Sequence, residues 1–291
     1  MKVLITGASG FLGRNLSEYL KNSCQLFLPS HNQLDLEDER ATEDYLRANN
    51  FDVVIHCAAR GISRKNNTPD ALMANLSMFS NLARLNTLYG KMIFIGSGAE
   101  YDKRRDLSLV TEQEFGQFVP VDPYGFAKYL CSQIINSIPN IINLRCFAVF
   151  GKYEDYETRF ISNTICRGLF NLPVVINQDV KFDYFSVDDF CKVTEYFINN
   201  ESKLQFYNVG SGQGILLTEI VRKIEDLFGK KMDVTVKSAG LNKEYTCNNS
   251  RLLAEMPNFK FMSFDEALAN LYNWYIAHKD TIDSKKLLFD K

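Results

Sequence analysis

Short β-rich runs alternate with helical patterns through the first half of this 291-residue chain, and that alternation restricts the fold more than any other feature. Strands read at 2–7 (KVLITG), 25–29 (QLFLP), 52–59 (DVVIHCAA), 91–97 (KMIFIGS) and 141–147 (IINLRCF). Helices read between them at 11–23, around 38–49, at 70–89 and at 124–138. Strands joined by helical crossovers pair in parallel, and a parallel sheet needs cover on both faces. The sequence therefore predicts an α/β fold, a doubly wound parallel sheet flanked by helices. After Gly151 the regularity breaks. A loop and a helix read over 152–180, a short strand and a helix over 182–199, and a strand ending in a glycine turn over 207–212. Helices follow at 217–228 and 263–279, which together suggest a smaller lobe packed against the sheet's carboxyl edge.

The first strand runs straight into TGASGFLG, which places Gly7, Gly10 and Gly13 at the opening of the first helix. Glycines at this spacing let the backbone turn tightly and approach a pyrophosphate, which then rests on the helix N-terminus. The placement between strand and helix makes this a dinucleotide cradle, with Phe11, Leu12 and Arg14 beside it. NAD sites usually end the second strand with an acid for the ribose 2′-hydroxyl. Here the strand ends LPSHNQ, with no acid before Asp35. Ser30, His31 and Asn32, with Arg14 nearby, suit a 2′-phosphate, so NADP is the expected cofactor and NAD the alternative. The plain reading of His31 is a solvated loop residue.

Two further features stand downstream. FIGSGAEYD (94–102) ends an apolar run on a lone hydroxyl, Ser97. PYGFAK pairs Tyr124 with Lys128, four residues apart and so on one helix face. A free phenol titrates at about pH 10, and a neighbouring cation favours the phenolate. The pair is thus suited to moving a proton.

Composition removes several function classes. The net charge of −2 gives no basic field for nucleic acid or an anionic membrane, and no apolar run is long enough to span a bilayer. The basic run Lys103-Arg104-Arg105 reads as a solvated loop. Seven scattered cysteines without a C-x-x-C pair argue against a disulfide framework or zinc site, and the three histidines lack metal-ligand spacing. We expect a cytoplasmic chain without a metal.

These motifs together resemble the extended short-chain dehydrogenase/reductases, the NAD(P)-dependent nucleotide-sugar epimerase/dehydratase/reductase superfamily, over essentially the whole chain. The resemblance is carried by TGASGFLG, DLED (35–38), FDVVIHCAA, ANL around Asn75, GSGAEYD, YGFAK, LRCFAVFG, FDYFSVDDF and YNVGSG. It implies a Rossmann domain over 1–150, completed by parts of 181–212, and a mainly substrate-binding domain over 151–291. It also implies that Ser97, Tyr124 and Lys128 are catalytic, Ser97 holding the reacting oxygen and Lys128 also binding the nicotinamide ribose. Asp35 and Leu36 would contact the adenine, Ala58 and Ala59 would line the dinucleotide, and Asn75 would support the catalytic helix.

Departures from the family pattern narrow the reaction. Sugar 4,6-dehydratases place a Glu two residues after the catalytic Ser/Thr, and the epimerase/reductases that make GDP-fucose place a Cys there. This chain has Ala99, and Glu100 should point to the other side of the backbone. The pattern comes closest to the 4-keto-6-deoxy-sugar reductases. The family's asparagine after the 141–147 strand is Ala148, and its diphosphate-binding arginine is Phe182. Lys152, Arg159, Lys181 and Lys243 are the candidate replacements. Three readings follow: an NADP(H)-dependent reductase of a nucleotide-linked 4-keto sugar in surface-polysaccharide precursor synthesis, an NAD-dependent nucleotide-sugar 4-epimerase, and a non-catalytic dinucleotide sensor. The expected partners are a nucleotide-diphosphate sugar and a twofold mate. The resemblance implies a homodimer paired through Leu76, Phe79, Leu82, Leu130 and Ile134.

Overall fold

The computed structural model describes residues 1–60 and 68–288. The chain begins β1 (Lys2–Thr6), α1 (Phe11–Leu20), β2 (Gln25–Phe27), α2 (Glu39–Asn49), β3 (Phe51–His56), α3 (Pro69–Ala83) and β4 (Tyr89–Ser97). It continues with β5 (Leu107–Val110), α4 (Pro123–Ile135), β6 (Ile141–Cys146), β7 (Ala148–Phe150), α5 (Phe160–Leu169) and β8 (Val174–Asp179). Next come β9 (Lys181–Phe182), β10 (Tyr184–Ser186), α6 (Val187–Asn199), β11 (Phe206–Val209), β12 (Ile215–Leu216) and α7 (Leu217–Phe228). The last elements are β13 (Val234–Leu241), β14 (Tyr245–Cys247), α8 (Ser250–Glu255) and α9 (Phe264–Ala277).

The apolar runs of the first half form one sheet, ordered β11-β6-β4-β3-β1-β2 and parallel throughout. This is the Rossmann-like α/β fold that the alternation predicts. Successive side chains of a strand face opposite ways. In β1, Val3 and Ile5 pack with Leu16, Phe190 and Phe197 on the side of α1 and α6, while Leu4 packs with Leu46, Phe79 and Leu82 on the other. From β1 the chain goes to β2 on one side and then to β3 on the other. The order therefore reverses between β1 and β3, and a crevice opens there at the strands' carboxyl ends.

β11 returns to the main sheet beside β6 after the chain has left it. A separate core joins α5, α7 and α9, built on Ile161, Ile165, Ile220, Ile224, Leu268 and Leu271. A four-stranded sheet, β12-β9-β14-β5, stands over the carboxyl end of the main sheet, where the Tyr245 hydroxyl of β14 comes up against Gly98, the residue after Ser97. Among the described residues no helix is long and apolar enough to cross a membrane.

Two expectations need correction. The helix read over 70–89 ends at Ala83, and Tyr89 and Gly90 already belong to β4. The Tyr89 hydroxyl donates back to the Leu82 carbonyl (2.9 Å), fixing the turn between helix and strand. Phe79 and Leu82 do not face a partner: both are wholly buried in this chain's own core, Phe79 4.9 Å from the Phe94 ring. They lie on the sheet-facing stripe of α3 with Asn75 and Met78, at helical spacing. The Lys103-Arg104-Arg105 run is the exposed loop expected, its charges paired at the surface with Asp122, Asp102 and Glu114 respectively. Strands β5, β8, β13 and β14 were not read from the sequence. β13 is exposed along nearly all its length, so no buried stripe marks it.

Candidate active site

The crevice holds a cradle for an anion. Gly10 N-caps α1 without a side-chain bond, and the helix's first turn carries no acid. The first-turn N–H groups and the positive end of the helix dipole are thus left uncompensated. Gly7 has φ +67°, and a Cβ there would lie 2.8 Å from the Ala58 backbone. Only glycine allows this turn to pass so close to the half-buried Ala58 and Ala59 at the end of β3. Thr6 ties the two strand ends together: its Oγ1 shares a hydrogen bond with His56 Nδ1 (2.8 Å) and accepts from the Ala58 N–H (3.3 Å). Gly7, Gly10 and Gly13 therefore fit a dinucleotide pyrophosphate.

At the end of β2, the Ser30 N–H and hydroxyl both bond Gln33 Oε1 (2.8 and 3.0 Å). His31 is exposed and lies 3.8 Å from Asp35, and Asn32 is exposed beside it. Leu36 is buried in the core. Arg14 is engaged elsewhere, 3.6 Å above the Tyr153 ring and 3.6 Å from Glu18, an engagement that does not involve Ser30, His31 or Asn32. Asn75 clamps the main chain after β3, accepting from the Arg60 N–H and donating to its carbonyl (both 2.8 Å). Its amide thus orders the β3 edge of the crevice rather than α4.

Ser97 is the last residue of β4 and opens a 3-10 turn. Its Oγ accepts from the Ala99 N–H (3.1 Å), and Glu100 accepts from the Ser97 N–H (3.0 Å), a reciprocal capping box. The α4 N-terminus is set by Asp122, which accepts from the Gly125 N–H (3.0 Å), and by Pro123 at the first helical position. Tyr124 follows in that first turn. Lys128 stands one turn on, buried, with its ammonium donating to the Ile95 carbonyl (2.6 Å) and lying 4.3 Å over the Phe94 ring.

Glu100 fixes this geometry. Its carboxylate is turned away from the crevice and fully buried, accepting from Ser132 (2.6 Å) of α4 and from Arg145 Nε (2.6 Å) of β6. The Arg145 guanidinium lies 4.1 Å over the Phe115 ring and 4.8 Å over Phe206. One buried ion pair thereby locks the Ser97 turn to both α4 and the sheet.

Beneath the site, burial and then the nearby Lys128 charge push His56 from 6.5 down to about 3. The unfolded chain takes up a proton below about pH 6.5 that the folded chain refuses until about pH 3. This group therefore leaves stability unchanged above that window and lowers it as pH falls, by at most ~1.4 kcal/mol per pH unit. His56→Gln, which retains a partner for Thr6 without titrating, should flatten the fall of melting temperature from pH 6.5 to about 4. Superimposable profiles would show that His56 titrates normally.

The candidate diphosphate contacts are dispersed. Lys152 pairs with Glu18 (2.7 Å) against α1, and Lys243 donates to the Arg104 carbonyl. Arg159 is exposed at the start of α5, where its charge reaches Tyr184. Lys181 pairs with Glu244 (3.3 Å). On the next residues of the same two strands Phe182 faces Tyr245, so Lys181 points to the opposite side of this sheet from Ser97. There it lines a cavity of about 360 Å³ with Asp106, Leu241, Asn242, Lys243 and Glu244. Sequence reasoning missed Tyr245, which sits in a three-residue strand among polar residues with no pattern to mark it.

This fold is that of the extended short-chain dehydrogenase/reductases. The chain belongs to the NAD dependent epimerase/dehydratase family, whose pattern it matches over residues 3–210. It is 25% identical to the GDP-L-colitose synthase of Yersinia pseudotuberculosis, covering 96% of this chain and 99% of that one. Its fold is similar to UDP-glucose 4-epimerase from Thermotoga maritima (TM-score 0.83, 19% identity, 96% of this chain and 100% of that one). It is also similar to a GDP-L-fucose synthetase from Naegleria fowleri (TM-score 0.82, 16% identity, 96% and 94%).

Proposed function

We propose that this chain is an NADP(H)-dependent reductase of a nucleotide-linked 4-keto-6-deoxy sugar, acting in surface-polysaccharide precursor synthesis. The observation that carries the reading is the arrangement around Ser97. Tyr124 and Lys128 stand on the helix locked to its turn, beside the anion cradle, while Ala99 is inert and Glu100 is turned into the core. A dehydratase or a ring-carbon epimerase needs a second proton-moving group at that turn, and a ketoreductase does not. A dinucleotide held by its pyrophosphate on Gly7, Gly10 and Gly13 would supply a hydride from its nicotinamide. Ser97 holds the carbonyl oxygen by a hydrogen bond, and Tyr124 delivers the proton to it. Lys128 has three N–H donors, so its bond to Ile95 leaves two for the ribose and the phenol. The GDP-L-colitose synthase relative supports a GDP-linked sugar as the first to test.

NADP is the proposed dinucleotide because Ser30, His31 and Asn32, rather than an acid, follow β2. NADPH should bind at least about tenfold more tightly than NADH, and His31→Asp should erase the difference. Equal affinities by calorimetry would remove this preference. One observation favours a second reading, a 4-epimerase that retains NAD: the Asp35 carboxylate lies beside His31 and suits a ribose 2′-hydroxyl better than a phosphate. A homodimer through the outer face of α3 and α4 completes the proposal, with Met73 and Ile134 exposed there and Leu76 and Leu130 half-buried. A monomeric mass by light scattering at micromolar concentration would remove the dimer.

The test is NADPH consumption against a panel of GDP-, dTDP-, CDP- and UDP-linked 4-keto-6-deoxy sugars. At least one should be reduced. No turnover on any of them, with NAD retained through purification, would move the assignment to the epimerase.

A further inference from the structure

The cradle helix carries a cation near its mouth, and the turn after β7 holds it there. Arg14 is the fourth residue of α1. Cα–Cβ bonds tilt towards the N-terminus of a helix, so its stem leans back over the first turn, towards the anion cradle. The guanidinium rests 3.6 Å above the Tyr153 ring, a height that suits a planar group lying flat on it. Among the described residues its N–H groups make no hydrogen bond, and its ionic contact with Glu18 is long at 3.6 Å.

Tyr153 is held in place at some cost. Its φ is +69°, in the left-handed region that a residue with a side chain seldom adopts. Such a conformation persists only where the surroundings fix it. Two of the fixing contacts come from the residues that flank Arg14 on α1. The buried Asn15 donates to the Lys152 carbonyl (3.0 Å), and Glu18 pairs with Lys152 Nζ (2.7 Å). The third comes from α9, whose Trp274 ring meets the Tyr153 ring edge to face at 5.4 Å. The ring is thus a fixed shelf under the guanidinium. Stacking occupies the flat face of an arginine and leaves the donors around its edge, whose fork matches phosphate oxygens. Arg14 is turned towards this shelf and away from Ser30, His31 and Asn32, so the phosphate on its side is the pyrophosphate.

We propose that Arg14, laid on the Tyr153 ring, binds the pyrophosphate of the dinucleotide beside the α1 N-terminus, with Tyr153 as its positioning residue. This rests on the dinucleotide reading above and goes further, because it assigns Arg14 to the group that NADP and NAD share. The contact therefore strengthens both and takes no part in choosing between them.

The experiment is calorimetric titration with NADPH and with NADH, which needs no sugar substrate. Arg14→Gln, at a half-exposed position that the fold tolerates, should weaken both about tenfold. Tyr153→Ala should weaken both by a similar or smaller factor. In an Arg14→Gln background the same change should cost nothing further, because no guanidinium is left to hold. Tyr153→Phe keeps the shelf and should bind both within about twofold of the parent. A loss confined to NADPH would assign Arg14 to the 2′-phosphate and overturn the proposal. So would unchanged NADH affinity in Arg14→Gln, or an undiminished Tyr153→Ala penalty in the double variant, the mark of a ring that only supports the fold. A parent protein that binds neither dinucleotide would instead remove the cradle reading itself, and this proposal with it.

Discussion

Tyr124→Phe should lower turnover of a 4-keto sugar nucleotide by about 10²–10⁴ while leaving dinucleotide affinity nearly unchanged. The phenol stands in the first turn of α4, after Asp122 and Pro123, and that helix is tied to the Ser97 turn through Ser132 and Glu100. Removing one oxygen from a ring so held disturbs little besides proton transfer. Ser97→Ala should cost a similar or smaller factor, since it deletes one hydrogen bond to the reacting oxygen. Lys128→Ala should damage both binding and turnover, because the same ammonium serves ribose and phenol. Its buried position under Phe94 and Ile95 makes a loss of stability a further expected result. Turnover by Tyr124→Phe at the parent rate would exclude the phenol as proton donor.

Glu100→Ala should destabilise the fold by about 3–5 kcal/mol, the cost of leaving a buried partner charge uncompensated. Glu100 is 0% exposed and Arg145 1%, and the carboxylate accepts from Ser97, Ser132, Asn143 and Arg145 together. No water can reach the guanidinium that the mutation strands. Replacing both members, Glu100→Leu with Arg145→Met, should cost less than the sum of the two single changes, since neither charge is then left alone. Denaturant unfolding measures all four proteins. A Glu100→Ala loss of less than about 1 kcal/mol, the range of a surface pair, would show that the pair is not buried in solution.

The sequence carried the sheet because it leaves a local mark, and the proposed cradle and reacting groups leave marks of the same kind. The alternation of β1, β2, β3, β4 and β6 with helices has a period, TGASGFLG is contiguous, and Tyr124 and Lys128 share one helix face. The departures at Ala99 and Phe182 were equally local. What escaped was set by distant partners. Glu100 was legible as pointing away from the crevice, but its bond to Arg145 joins residues 45 apart in sequence. A signal for it existed, since an arginine inside the otherwise apolar run IINLRCF must find a buried anion. Tyr245 had no such signal: its strand is three residues long, and its place beside Gly98 follows from the register with β9. Phe79 and Leu82 were assigned to an outer face because helical periodicity marks a stripe without saying what covers it.

The most direct test of hydride transfer to the sugar uses NADPH deuterated at the transferring position of the nicotinamide, with mass spectrometry of the sugar-nucleotide product. A reductase must yield product carrying one deuterium, with one NADP formed for each. Product without deuterium, or conversion without net formation of NADP, would contradict the account.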